Sequence, residues 1–258
     1  MVIDTLSESW SESPGGIFTW QVPKGWMQGR SLFGGLSAAA AASLASRFTD
    51  RKLRTMQAQL IGPIVPGELT GECSILRSGK TTSFIEVKLF QDDSLRGLFV
   101  FVFIEEREGS VCIEGPEKPD WKLAETAVQM PYLEGLTPEF TQNVEFRFAY
   151  GGIAFQNFKK AATGGYMQFN DVKNIQAEHQ LALLDAWYPP ILAALNKPVF
   201  GSTVTWTAHL IADSVPGLHQ FKYDTQVAKD GFSTSVGHMW DAAGTYVGYT
   251  EQTVVIFD

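Results

Sequence analysis

Ala58-Gln59-Leu60-Ile61 precedes Val65-Pro66-Gly67, and Ala208-His209-Leu210-Ile211 precedes Val215-Pro216-Gly217. Each matched pair lies 150 positions apart, as 58 and 208 or 67 and 217 do, and Thr55 falls on Thr205 in the same register. A fixed offset held over a dozen residues predicts two copies of one structural unit joined in a single chain. The 258 residues then divide into units of roughly 110–130 residues that share a core.

Working outward from the repeat, each unit reads as a helix followed by an antiparallel meander. In the first, Ile17–Val22 reads as a short strand and Gly34-Gly35 opens a small-residue helix ending near Thr49. Strands follow at Thr55–Ile64, Glu68–Arg77, Ser83–Gln91 and Leu98–Glu105, with turns at Pro66-Gly67, Ser78-Gly79 and Asp92-Asp93. In the second, a strand near Val144–Tyr150 leads past Gly164-Gly165 to a helix over Gln176–Trp187, stopped by Pro189-Pro190. Strands follow at Ser202–Ile211, Gln220–Lys229, Ser233–Asp241 and Tyr246–Ile256. A helix wrapped by a curved antiparallel sheet is the hotdog arrangement. The expected fold is therefore α+β, a double hotdog with one continuous sheet around central helices. The expected boundaries are 1–108 for the first unit with its lead-in, 109–140 for a proline-bearing linker and 141–258 for the second unit.

Composition bounds the function. A hydrophobic share of 45% and an aromatic share of 12% fit an ordinary folded protein, and a net charge of −8 argues against nucleic-acid binding. Cys73 and Cys112 form neither a disulfide framework nor a metal-ligand spacing. The polar, acidic opening residues do not read as a signal peptide, and the longest apolar run, Leu98–Ile104, is too short to span a membrane. These features set the expectation of a cytoplasmic protein without membrane contact; homo-oligomerisation stays open. Gly79-Lys80-Thr81 lacks the upstream glycine of a phosphate loop, no Gly-x-Ser-x-Gly elbow exists, and the four histidines form no spaced metal pair. No metal or cofactor is expected.

Three polar positions stand out in the second unit. Asp185 lies in a helix that is apolar on nearly every side, where a carboxylate needs hydrogen-bond donors or a function. Its two readings are a structural aspartate and a general base whose pKa burial raises. Thr203, Thr205 and Thr207 alternate along one strand, which predicts a common face. Gln252 shares a strand face with Thr250 and Val254. The first unit offers apolar Phe99–Phe103 opposite Gln252 and alanines opposite Asp185, which predicts one active centre per chain. Gly34 and Gly35 read either as close-packing residues or as helix-terminal amides that receive a developing oxyanion.

Phe33-Gly34-Gly35, Leu76-Arg77-Ser78-Gly79-Lys80 and Phe90-Gln91 resemble the first half of the acyl-CoA thioesterase II family. Leu184-Asp185, Ser202-Thr203 and Gly244-Thr245-Tyr246-Val247 leading to Gln252 resemble its second half. The resemblance runs from about residue 15 to the end. It implies a double hotdog that hydrolyses acyl-CoA or a related thioester, with Asp185, Thr203 and Gln252 as the catalytic residues. Thr205 is the reserve hydroxyl, a substrate-binding candidate with Gly34 and Gly35. Arg54, Arg77 and Lys80 are candidates for the CoA phosphates, although solvated turn charges is the plainer reading. Thr205-Trp206 stand where the best-known members carry an Asp-His pair. That departure supports an alternative, a non-catalytic protein that binds acyl thioesters.

Overall fold

A computed structural model describes residues 1–121 and 124–257. The chain opens with a short helix α1 (Leu6–Ser9), strands β1 (Ser11–Ser13) and β2 (Ile17–Val22), and a small ribbon of β3 (Met27–Gln28) and β4 (Ser31–Leu32). Helix α2 (Gly34–Ala45) precedes the meander β5 (Lys52–Leu60), β6 (Gly67–Ser78), β7 (Thr82–Gln91) and β8 (Ser94–Ile104). After β9 (Val128–Met130) the pattern recurs. Strands β10 (Val144–Gly151) and β11 (Ala162–Phe169) lead to helices α3 (Ala177–Ala186) and α4 (Ile191–Ala194). The second meander is β12 (Phe200–Leu210), β13 (His219–Lys229), β14 (Phe232–Trp240) and β15 (Tyr246–Phe257).

Thirteen strands form one sheet in the order β1-β2-β6-β7-β8-β5-β12-β15-β14-β13-β11-β10-β9. The halves meet where β5 pairs antiparallel with β12, and there Gln57 lies opposite Thr207. Those positions are 150 apart, so a residue faces its own counterpart across the seam. This is the geometry of a two-fold interface between identical units, built here within one chain. The sheet is antiparallel and the helices lie against its inner face, an α+β double hotdog.

Helix α2 can sit deep because its residues are small. Every residue from Gly35 to Ala45 is buried, and alanine favours helix without adding bulk. A Cβ on Gly35 would stand 2.8 Å from the carbonyl oxygen of Ala182, so α2 and α3 approach backbone to backbone. The sheet floor beneath α2 is aromatic, with Phe99, Phe101 and Phe103 alternating along β8 and all at most 1% exposed.

One reading of the sequence, the common face of the β12 threonines, needs correction. Gly164-Gly165 lies inside β11, ahead of α3 and beside a bulge between Phe148 and Tyr150 of β10. Side chains there would run into the carbonyl oxygens of Phe221 and Arg147, so the glycines let three strands close up. The three threonines of β12 do not share a face, because a bulge falls between Thr203 and Thr205. An extra residue inverts the alternation. Within the expected linker 109–140, Val128–Met130 pairs with β10 at the sheet edge. Ahead of it, Trp240 Nε1 donates to Pro116 and Gln220 Nε2 donates to Pro119, fastening the connection to the second half. Among the described residues no helix is long and apolar enough to cross a membrane.

Candidate active site

Helix α2 begins at Gly34 without a capping side chain, which leaves its first amides in need of acceptors. The acceptor comes from the other helix. Asp185, next to last in α3, takes a hydrogen bond from the Gly35 N–H. Its Oδ2 lies 2.7 Å from where a Gly34 Cβ would stand, so only glycine lets the helix start meet the carboxylate.

The other contact reaches across from the sheet. Gln252 Nε2 donates to Asp185 Oδ1 at 2.8 Å, and Thr203 Oγ1 donates to Gln252 Oε1 at 3.1 Å. Thr203 lies opposite Val254, two residues along β15 from Gln252, and the bulge turns it to the inner face. The structure thus brings Asp185, Thr203 and Gln252 into one hydrogen-bonded chain. Gln252 is buried, whereas Asp185 and Thr203 are half-buried and keep some surface towards solvent.

Protein packed around the Asp185 carboxylate pushes its pKa up to about 7, with the bonds from Gln252 and Gly35 opposing the shift. Desolvation outweighs donor stabilisation, so the group gains and loses its proton near neutrality. Such a carboxylate can accept a proton from a polarised water and return it. Thr203 spends its own hydrogen on Gln252, which leaves its oxygen free to accept one.

Other candidates lie elsewhere. Thr205 pairs with Thr253, and its neighbours on either side of the bulged segment, Trp206 and Thr203, face inward; it therefore stands on the opposite face from Asp185. Arg54 is bonded to Glu106 at 2.6 Å, while Arg77 and Lys80 are exposed on the first half. Two surface hollows, one by Arg54 and Glu105–Glu108 and one by Asp4 and Asp171, are lined mainly by charged and polar residues and include none of the three. Among the described residues no group of three or more His, Cys, Asp or Glu side chains is arranged to hold a metal ion.

The acyl-CoA thioesterase N-terminal domain matches residues 22–104, and the acyl-CoA thioesterase C-terminal domain matches residues 124–256. The chain belongs to the acyl-CoA thioesterase family. Solved structures share the fold of this thioesterase-family chain over nearly its whole length. A conserved hot dog protein of unknown function from Alicyclobacillus acidocaldarius superposes with a TM-score of 0.89 at 20% identity, covering 100% of this chain and 98% of its own. A thioesterase II candidate from Thermobifida fusca gives 0.86 at 17% identity, with 98% of each chain covered. A tesB protein from Mycobacterium avium subspecies paratuberculosis gives 0.80 at 15% identity, covering 100% of this chain and 98% of its own. No protein with a curated description matches the chain.

Register between the halves of this thioesterase-family chain explains why only one end is polar. Leu53 and Phe101 hold the first-half places of Thr203 and Gln252, with the same bulge between Leu53 and Thr55. On the neighbouring strands, Ile85, Ile75 and Cys73 are replaced by Ser235, Thr225 and Tyr223. Reading the sequence alone missed these hydroxyls. The signal that finds them is the 150-residue offset carried along the two neighbouring strands, from Cys73, Ile75 and Ile85 to Tyr223, Thr225 and Ser235.

Proposed function

We propose that the chain hydrolyses acyl-CoA thioesters by direct attack of water. The observation that carries this reading is the 2.8 Å bond between Gln252 and an Asp185 whose pKa is raised to about 7. Asp185 takes a proton as the water oxygen bonds to the thioester carbonyl carbon, and Thr203 accepts a hydrogen bond that orients the water. Gln252 holds both groups and has no proton to exchange. The carbonyl oxygen gains negative charge and is met at the start of α2; because Gly35 serves Asp185, the Gly34 N–H is the donor left for it. Collapse breaks the C–S bond, the CoA thiolate departs and recovers the proton from Asp185, and the free acid is released.

Family membership supports this chemistry. One observation favours a second reading, an acyl-thioester binder without turnover. Where the Asp-His pair of other members is expected, Trp206 is buried and donates its ring N–H to Thr250 at 2.6 Å. Thiol release from a panel of short, long, branched and aromatic acyl-CoAs separates the two. Turnover that drops about 10²–10⁴-fold in Asp185→Asn supports the hydrolase. Turnover that survives the substitution removes Asp185 from the mechanism, and binding without any turnover by the native chain selects the binder.

A further inference from the structure

The inner face beside the three residues carries the hydroxyls of Thr225 and Ser235 where the other half carries the hydrocarbon of Ile75 and Ile85. Ser235 lies directly opposite Gln252, and Thr225 lies opposite Ser235 on the next strand. Ser233 faces Val254, the residue that faces Thr203 on its other side, and Tyr223 lies two residues along from Thr225. Facing side chains on adjacent strands stand about 5 Å apart, so these four continue the polar row that begins at Thr203 and Gln252.

The oxygens of Tyr223, Thr225, Ser233 and Ser235 have no hydrogen-bond partner among the described residues, and Tyr223, Ser233 and Ser235 are at most 1% exposed. Buried hydroxyls are normally paired. Their neighbours on the same face follow that rule: Thr163 bonds Tyr188 and Trp187, and Thr250 bonds Trp206. In the first half the matching serine, Ser83, is bonded at 2.6 Å by Arg51, which also reaches the carbonyls of Gly79 and Lys80. The counterpart of Arg51 is Gly201, so the second half lacks the side chain that closes that end. Burial and then the charge of Asp185 hold the Tyr223 phenol well above its ordinary pKa, which keeps it protonated and able to donate.

We propose that Tyr223, Thr225, Ser233 and Ser235 recognise oxygen on the acyl chain, so that the substrate is a hydroxyacyl or oxoacyl thioester and not a plain alkanoyl one. The inference rests on the thioesterase reading for the kind of ligand, but not on turnover. A saturated tail laid along this row would leave the hydroxyls unpaired, while an oxygenated chain pairs them. A site built to bond a substrate oxygen discriminates strongly against the analogue that lacks it.

The test compares hexanoyl-CoA with its 3-hydroxy, 3-oxo and 6-hydroxy derivatives, in native protein and in Tyr223→Phe and Ser235→Ala. The expected result is at least about a tenfold higher kcat/KM for one oxygenated substrate, with that ratio falling about tenfold in either variant. If nothing is hydrolysed, the hydrolase reading fails, and calorimetric Kd values for the matching non-hydrolysable thioethers decide the inference in the same way. Hexanoyl favoured or equal throughout, or a ratio that neither variant moves, overturns it. Melting temperature is the control for a structural role. Removing an unpaired buried hydroxyl leaves the Tm level or raises it, whereas a fall of several degrees in both variants assigns the hydroxyls to the fold and overturns the proposal.

Discussion

Gln252 donates to Asp185 with its amide nitrogen and accepts from Thr203 with its amide oxygen, at 2.8 and 3.1 Å. An ionised carboxylate only accepts, so the nitrogen must face Asp185. That choice directs the Thr203 hydrogen towards Gln252. One side chain thus fixes the orientation of a hydroxyl on β12 and supplies a donor to a carboxylate on α3.

Removing this donor has a signed consequence. The Gln252 bond lowers the pKa of Asp185 against the larger upward push of burial. Gln252→Leu therefore moves the pKa above 7, and the basic form needed for attack becomes scarcer at neutral pH. The rising limb of kcat/KM against pH shifts to higher pH, and kcat at pH 7 falls about 10²-fold. A fall in rate with an unmoved limb means that Gln252 acts through something other than Asp185.

The same carboxylate links pH to stability. Its folded pKa, about 7, lies above the ordinary 3.8, so between those values the unfolded chain has released a proton that the native chain keeps. Stability from this group is fully present below pH 3.8 and is lost as pH rises towards 7. The gap of about three pKa units is worth at most about 4 kcal/mol, and nearer 1–2 once the partial exposure of Asp185 is allowed for. Urea titrations at pH 4 and pH 8 check this: native protein loses that much relative to Asp185→Asn over the interval. Parallel curves refute the burial-driven shift.

The order of helices and strands was legible in the sequence because period, turn residues and the internal repeat agree there. Asp185 was legible as a carboxylate in a helix with no polar face. Thr205 was misplaced for a physical reason: alternation assumes an unbroken ladder, and the bulge after Thr203 inserts a residue that composition does not mark. Gly164-Gly165 gave no sign in the sequence of lying under a crowded strand crossing, because only register brings the Phe221 and Arg147 carbonyls against it. Tyr223, Ser233 and Ser235 look like ordinary strand residues. Their unpaired state appears only when register sets them beside Gln252.

Gly34 and Gly35 are required by contact, and their substitutions separate two effects. An alanine methyl at Gly34 meets Asp185 Oδ2 at 2.7 Å and displaces the carboxylate, with little else in its way beyond Leu60. Gly34→Ala is expected to lower kcat by about 10²-fold, the loss typical of a small misplacement of reacting groups. At Gly35 the methyl meets the Phe33 ring and the Ala182 carbonyl, so α2 must move from α3. Gly35→Ala therefore costs about 1–3 kcal/mol of stability, as overpacking does. Thermal melts and rates on both variants test the division; an active Gly34→Ala shows that Asp185 tolerates displacement.

The two halves provide the last prediction, that polarity cannot simply be transplanted. Phe101 is fully buried between Phe99 and Phe103, with ring centroids 6.1 and 6.4 Å away, and occupies the place of Gln252. Its neighbours across the strands are Met56 and Ile85, so a glutamine there meets no donor or acceptor from them. Phe101→Gln loses a packed ring and buries an amide, and should destabilise the protein by about 3–5 kcal/mol. The first helix supplies alanines and no carboxylate, and Arg51 still ties Ser83 to the turn. Leu53→Thr with Phe101→Gln, placed in an Asp185→Asn background, should therefore release thiol no faster than Asp185→Asn alone. A rate raised well above that of Asp185→Asn alone would show that a transplanted hydroxyl and amide suffice without a carboxylate, and would remove Asp185 from the mechanism.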